Sequence, residues 1–329
     1  MAYDFLSADP KDPFAREDML RHAVMAEKMG FHSIWAGESH QSRLRSGHSP
    51  SPLLTLAALS SVTKSLRLGT GVLLLPLYDP LKLAEDTAAV DCLSGGRLAL
   101  GVALGGEPNR EYFNVPEEDL GNRFEEAVRL VRELWREPQV SHSGKHFTYR
   151  NVSVTPKPLQ EPCPPILIGG GRFAGAARAA TLGDGWIGAS NHTRARLKVL
   201  IARYKGSLSK NQQGDVTANR VLYLDRDSSS ARQRGLPHFM EFARWYSERG
   251  ALWDSKGRPI DYKDNSEALI EELALIGSPD DCIEGIERYE KLGVNQLNLR
   301  IKLPGMKRGQ VENAMRLLSQ RVFPHFAER

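Results

Sequence analysis

The chain has 329 residues and a mass of 36.6 kDa, enough for one α/β barrel or two modest domains. Hydrophobic residues make up 41% and charged residues 26%, a balance that excludes a disordered or fibrous chain. The 44 basic residues are spread among 40 acidic ones for a net charge of +4, without the single-sign blocks of a nucleic-acid-binding surface.

The longest apolar run, Val72 to Leu75, stops at Pro76, whereas a membrane span takes about 20 apolar residues. Neither nucleic acid nor a membrane is expected as a partner. The first residues, Met1-Ala2-Tyr3-Asp4, show no cationic stretch followed by an apolar one, which reads as a cytoplasmic protein without a secretory signal. Cys92, Cys163 and Cys282 are far apart and lack zinc or dithiol spacing, so they read as reduced thiols. With no metal-binding motif such as His-Glu-x-x-His, no metal is expected.

Short apolar runs rich in β-branched residues alternate with amphipathic stretches, the pattern of βα units around a parallel sheet. In chain order, strands are expected at Tyr3 to Leu6, Ser33 to Ala36, Leu66 to Leu74 and Arg97 to Val102. Four more follow at Pro165 to Ile168, Gly185 to Ala189, Arg220 to Leu224 and Gln296 to Ile301. Phe124, Ala127, Val128, Val131, Leu134 and Trp135 form one helical stripe, facing a sheet. Ser278-Pro279-Asp280-Asp281 supplies a capping hydroxyl, a proline at the first helical position and two acids, starting a helix that runs to Leu292 and closes at Gly293.

These units predict a (β/α)8 TIM barrel with loop insertions, one domain over residues 1–329, where the barrel itself takes about 250 residues. The surplus lies in His142 to Pro165, expected to be a β excursion, and in the polar, irregular stretch Asp225 to Ser266. The aromatics Phe239, Phe242, Trp245 and Tyr246 in the second stretch suit either a lid over the site or an outer helix packed on the barrel.

In such a barrel the site forms at the C-terminal ends of the strands. After the second strand come Glu38, Ser39 and His40, then a loop with Gln41, Arg43, Arg45 and His48. Glu38 and His40 suit proton transfer or hydrogen bonding to a polar ring; His40 also fits a solvated loop. On the third strand Gly71 interrupts Thr70-Gly71-Val72, either to let a flat ligand approach the backbone or to relieve crowding. After the fourth strand, Gly105-Gly106-Glu107-Pro108-Asn109 makes an open turn. After the fifth, Gly169-Gly170-Gly171-Arg172-Phe173 leads into an alanine-rich helix. Bare N–H groups at that helix start, with Arg172 beside them, suit a phosphate; a tight turn is the plainer reading. Ser190-Asn191-His192 follows the sixth strand.

Several segments, in order, resemble the bacterial-luciferase-like flavin-dependent oxidoreductases, a group that also contains deazaflavin-dependent reductases. They are Ala26 to Phe31, Gly69 to Pro80 with Leu83-Ala84-Glu85-Asp86, Leu93 to Leu98, and Arg123 to Ala127. Pro156 to Gln160, Pro165 to Gly171, Gly183 to Trp186 and Gly277-Ser278-Pro279 continue the match. The resemblance implies a barrel holding flavin mononucleotide (FMN), its phosphate near Gly169 to Phe173 and its ring against Thr70, Gly71 and Val72, with Gly105 and Asn109 on the same rim. It also implies a cis peptide at Gly71-Val72.

The chain departs from the family where Ser39 replaces the first histidine of a Glu-His-His triplet, and where Leu104 or Gly105 stands in place of an arginine. Glu38, Ser39, His40 and His192 are the candidate catalytic residues. The implied activity is monooxygenation of a small organic substrate with oxygen and reduced FMN from a separate flavin reductase, by a homodimer. The alternatives are a reductase using the deazaflavin coenzyme F-420 and a non-catalytic flavin-binding protein.

Overall fold

A computed structural model describes residues 15–40, 50–210, 212–263, 266–303 and 305–327. The expected strand Tyr3 to Leu6 and the loop residues Gln41, Arg43, Arg45 and His48 lie outside them. The first part of the chain runs α1 (Ala15–Lys28), β1 (Ser33–Ala36), α2 (Pro52–Ser60), β2 (Arg67–Thr70), β3 (Leu73–Leu74), α3 (Pro80–Ser94), β4 (Leu98–Ala103), α4 (Glu107–Tyr112) and α5 (Leu120–Arg136). It continues through β5 (Val140–Ser143), β6 (Thr148–Val152), β7 (Ile166–Gly169), α6 (Phe173–Leu182), β8 (Gly185–Gly188), α7 (Arg194–Lys205), β9 (Asp215–Leu224) and α8 (Ser228–Ser247). The rest is α9 (Ser266–Leu273), β10 (Ala274–Gly277), α10 (Pro279–Lys291), β11 (Gln296–Arg300), α11 (Arg308–Leu317) and α12 (Phe323–Ala327).

The predicted cap at Ser278 forms, and a second stands at Asp79. Asp79 accepts hydrogen bonds from the N–H groups of Leu81 and Lys82 to start α3, and Ser278 with Asp281 makes a reciprocal capping box on α10. β5 and β6 pair antiparallel as the excursion between α5 and β7. All pairings in the large sheet are parallel, in the order β1-β2-β4-β7-β8-β9-β10, with β3 on β4 and β11 on β9.

Two expectations are corrected. The third strand is two pieces, because the chain breaks at a cis Gly71-Val72 peptide between β2 and β3. The segment Ala274–Gly277 is an additional strand, β10, which pairs with the C-terminal half of β9. Of the two readings of the aromatics in the polar stretch, the outer helix holds: Asp227 caps the 20-residue helix α8, and Phe239 and Phe242 are buried in the main core. An outer helix lets their rings exchange water for apolar neighbours.

Two apolar clusters flank the sheet. The larger fills the space between strands and helices. The smaller is Trp35, Ala99 and Ile187, with Val72 and Leu167 against it. Register pairs Trp35 with Gly69, and Ile187 with both Gly169 and Thr217, and paired residues in a parallel sheet point to one face, so this second cluster lies on the concave side. A Cβ on Gly69 would come within 2.3 Å of the Trp35 ring, so the indole dictates that glycine.

The N-terminal ends of the strands are tied by charged side chains, of which Asp91 is fully buried. The Glu27 carboxylate accepts hydrogen bonds from the N–H groups of Lys64, Ser65 and Leu66. Burial disfavours its ionisation, but these donors and the Ser65 hydroxyl outweigh that and hold its pKa down to about 2. Asp91 accepts from the N–H groups of Leu98, Leu159 and Gln160, while Arg97 donates to the carbonyls of Thr63 and Leu66.

Candidate functional site

The candidate residues gather at the opposite, C-terminal ends of the strands. Glu38 follows β1 and is buried. One carboxylate oxygen accepts from the Leu74 N–H at 2.6 Å, and the other from the Tyr78 hydroxyl at 2.9 Å and from His40 Nε2 at 2.7 Å. Burial pushes its pKa above the ordinary carboxylate range against all three donors. Both oxygens are engaged, so Glu38 fastens the segment just past the cis peptide, assisted by its own N–H donating to the Val72 carbonyl at 3.0 Å. The His40 ring meets Phe113 edge-on at 4.5 Å. Ser39 is half-buried.

The hydroxyl of Thr70 donates to the Gly101 carbonyl at 2.7 Å and accepts from the Gly101 N–H at 2.8 Å, stitching β2 to β4 beneath the mouth. Gly71 abuts Trp35, whose Cβ would lie 3.3 Å from an added Cβ. Crowding and the backbone turn therefore meet at one glycine. Val72 reaches the concave face, where an added Cβ on Gly169 would lie 3.2 Å from it. Gly105 has φ of +76°, in the region that favours glycine, and its carbonyl accepts from Arg110 at 3.3 Å. The backbone of Asn109 lies in α4.

Each glycine of the triplet has a steric reason. Gly169 makes room for Val72, as above. Gly170 stands against Gly175, with an added Cβ 2.8 Å from the Gly175 Cα, so α6 sits directly on the loop. Gly171 faces His192 and Trp253. Arg172 is the N-cap of α6 without a side-chain capping bond, and the first helical N–H to find a carbonyl is that of Ala176, on Arg172. The preceding N–H groups, of Phe173, Ala174 and Gly175, are the free donors at the positive end of this helix. Arg172 and Phe173 are exposed beside them.

One contributor, Arg196, was missed from sequence, and a second, a strap, lies within the stretch Asp225 to Ser266 already singled out as cover for the site. Arg196 is buried under this loop, donates to the Gly171 carbonyl at 2.9 Å and to the Ser255 carbonyl at 3.3 Å, and stands 5.4 Å from the Phe173 ring centre. The strap Ala251 to Ile260 lies across the end of β8. Its Trp253 bridges to His192, Asn191 donates to the Ala251 carbonyl, and the Ile260 N–H donates to Leu252 at 2.9 Å. Leu252 is fully buried. Helical periodicity singles out neither, because Arg196 looks like one more charge on a basic helix and the strap has no repeat.

His192 is buried, and its Nδ1 accepts from the Ala189 N–H at 3.3 Å. Burial, helped by the positive charges of Arg220 and Arg196, lowers its pKa to about 3. The ring is neutral at physiological pH, with its proton on Nε2 as a donor beside Gly171.

A family model described as luciferase-like monooxygenase matches residues 4–296. The oxygenase component of a flavin-dependent trigonelline monooxygenase from Acinetobacter baylyi is 24% identical, covering 95% of this chain and 90% of that protein. An F-420-dependent glucose-6-phosphate dehydrogenase from Kineococcus radiotolerans is 31% identical, covering 87% of each. The crystal structure of monooxygenase RslO1 from Streptomyces bottropensis superposes with a TM-score of 0.84 at 28% identity, covering 99% of this chain and 98% of that one. These likenesses bear out the barrel class.

Proposed function

The chain belongs to the luciferase-like monooxygenase family, and from that premise we propose that it is the oxygenase of a two-component system, using reduced FMN from a separate flavin reductase and oxygen on a small organic substrate. The observation that carries this reading is the uncapped start of α6 behind a glycine triplet, with Arg196 buried beneath it.

The residues present fit a phosphorylated flavin. The N–H groups of Phe173, Ala174 and Gly175 would hold the phosphate, with Arg172 and Arg196 adding positive charge. Val72 and the bare backbone of Gly169 to Gly171 give a flat apolar side for a ring. When bound, FMN supplies the redox chemistry between reduced ring and oxygen.

The protein's part is positional. Glu38 fixes the segment beyond the cis peptide that carries Val72. His192 Nε2 holds a proton at the mouth as a neutral donor, so it stabilises negative charge without itself titrating near neutral pH. The strap Ala251 to Ile260 excludes water from the end of β8. In this reading the enzyme works in the cytoplasm as a homodimer built from one barrel per chain. No helix among the described residues is long and apolar enough to cross a membrane.

A second reading, a reductase using F-420, is favoured by the 31% identity to an F-420-dependent dehydrogenase. Oxygen uptake with chemically reduced FMN tests the choice. Free reduced FMN consumes oxygen on its own, so a protein-dependent change in the rate of that consumption supports the oxygenase, and protein-dependent hydride transfer from reduced F-420 without oxygen uptake supports the reductase.

A further inference from the structure

The concave face changes character around the sheet. Below the phosphate loop it is small and apolar, lined by Trp35, Ala99, Leu167 and Ile187. On the far side, β9 and β11 place side by side Thr217 with Gln296 and Asn219 with Asn298. Ile187 pairs with Thr217, so strand alternation turns Thr217 and Asn219 to the same concave face, and register turns Gln296 and Asn298 with them.

Asn298 is fully buried, and its Oδ1 accepts from Gln296 Nε2 at 2.8 Å. That bond fixes the amide and leaves Nδ2 as a buried donor with no partner; Asn219 Oδ1 is a buried acceptor with no partner. A buried polar atom left unpaired is destabilising, and here two complementary ones are neighbours in register without bonding to each other. The pair stands at the height of the mouth. The Arg220 guanidinium donates to the Ala189 carbonyl as well as to the Asn219 carbonyl, and Ala189 is the residue whose N–H holds His192.

We propose that Asn219 and Asn298 form a reading site for a ligand edge that carries one N–H beside one C=O, the edge of a lactam or a primary carboxamide. Asn219 Oδ1 accepts from the ligand N–H while Asn298 Nδ2 donates to the ligand carbonyl. The inference deepens the oxygenase reading and rests on its placement of the site. Such an edge has two sources, an organic substrate or the pyrimidine ring of the flavin, and both present the same chemistry to the pair.

The test is calorimetric titration of the full chain with 2-pyridone and with N-methyl-2-pyridone, which lacks the N–H, in the absence of FMN and again with FMN saturating. The proposal expects at least about tenfold preference for 2-pyridone in the protein without FMN, about the loss of one charge-free hydrogen bond with its partner left buried. It expects the preference to vanish in Asn219→Leu, which removes the acceptor for the ligand N–H, and both pyridones to bind more weakly to Asn298→Asp, which keeps the acceptor for Gln296 but removes the donor to the shared carbonyl. Pyridone binding that survives FMN assigns the pair to substrate, and binding that FMN abolishes assigns it to the flavin edge. Equal affinity of wild type for the two pyridones, or a preference unchanged in Asn219→Leu, overturns the proposal and leaves the pair bridged by water alone. The wild-type comparison needs no variant to fold. Failure of FMN to bind would strike the oxygenase reading while leaving the pyridone preference measurable.

Discussion

An added Cβ on Gly171 would stand 2.5 Å from His192 Nε2, so the third glycine of the triplet and the neutral histidine are shaped to each other. Gly171→Ala should push the imidazole and the 3.2 Å neighbour Trp253 out of place, destabilising the chain by about 1–3 kcal/mol. FMN affinity should fall at least about tenfold in the same variant, a change of about 1.4 kcal/mol. Adding His192→Ala to Gly171→Ala should recover stability, as read by urea denaturation. Recovery would not occur if the glycine served only a turn.

Arg196→Met keeps the apolar stem and removes the charge and the bond to the Gly171 carbonyl. FMN should bind about tenfold more weakly, whereas riboflavin, which has no phosphate, should bind as it does to wild type. Equal loss for both ligands would show that Arg196 acts on the ring or on folding and not on the phosphate end.

Phe242→Ala separates core from cover. Its ring is 2% exposed and packed in the main cluster, so truncation should cost about 3–5 kcal/mol in denaturant unfolding. A lid residue would instead leave stability intact and increase wasted peroxide during turnover.

Two buried histidines set the acid limb of stability. Burial lowers His192 to about 3 and His22 to about 4, and His32 is pushed down in the same direction by burial and by Arg67. Below the ordinary histidine pKa of about 6.5 the unfolded chain takes up protons that the folded chain refuses, so stability falls as pH falls. Between pH 6.5 and 5, above the ordinary carboxylate range, the slope should reach up to about 1.4 kcal/mol per pH unit for each such histidine. His192→Gln should flatten it, measured by urea unfolding at several pH values.

Much of the scaffold was legible because its signals are local. Ser33 to Ala36 is bounded by polar residues, the stripe of α5 repeats at helical spacing, and Ser278 to Asp281 is a cap with its own chemistry. β10 was not legible, because Ala274–Gly277 follows the last residue of α9 without a breaker and its pairing with β9 is a long-range fact. α8 was hidden by Gly235 and Pro237, which read as breakers yet lie within the helix. Motifs such as Ala26 to Phe31 and Leu93 to Leu98 identify the fold through Glu27 and Arg97, which brace strand starts. The site was legible only as glycines and polar residues after strands. Which atoms meet, as with Arg196 under Gly171 or Asn219 beside Asn298, depends on distances that sequence does not contain.

The central claim is that the start of α6 holds a phosphorylated flavin. The most direct measurement is an anaerobic titration of the purified chain with reduced FMN, repeated in the presence of inorganic phosphate. The account predicts saturable binding that phosphate weakens competitively. Absence of binding by FMN in either oxidation state, with F-420 binding in its place, would contradict it.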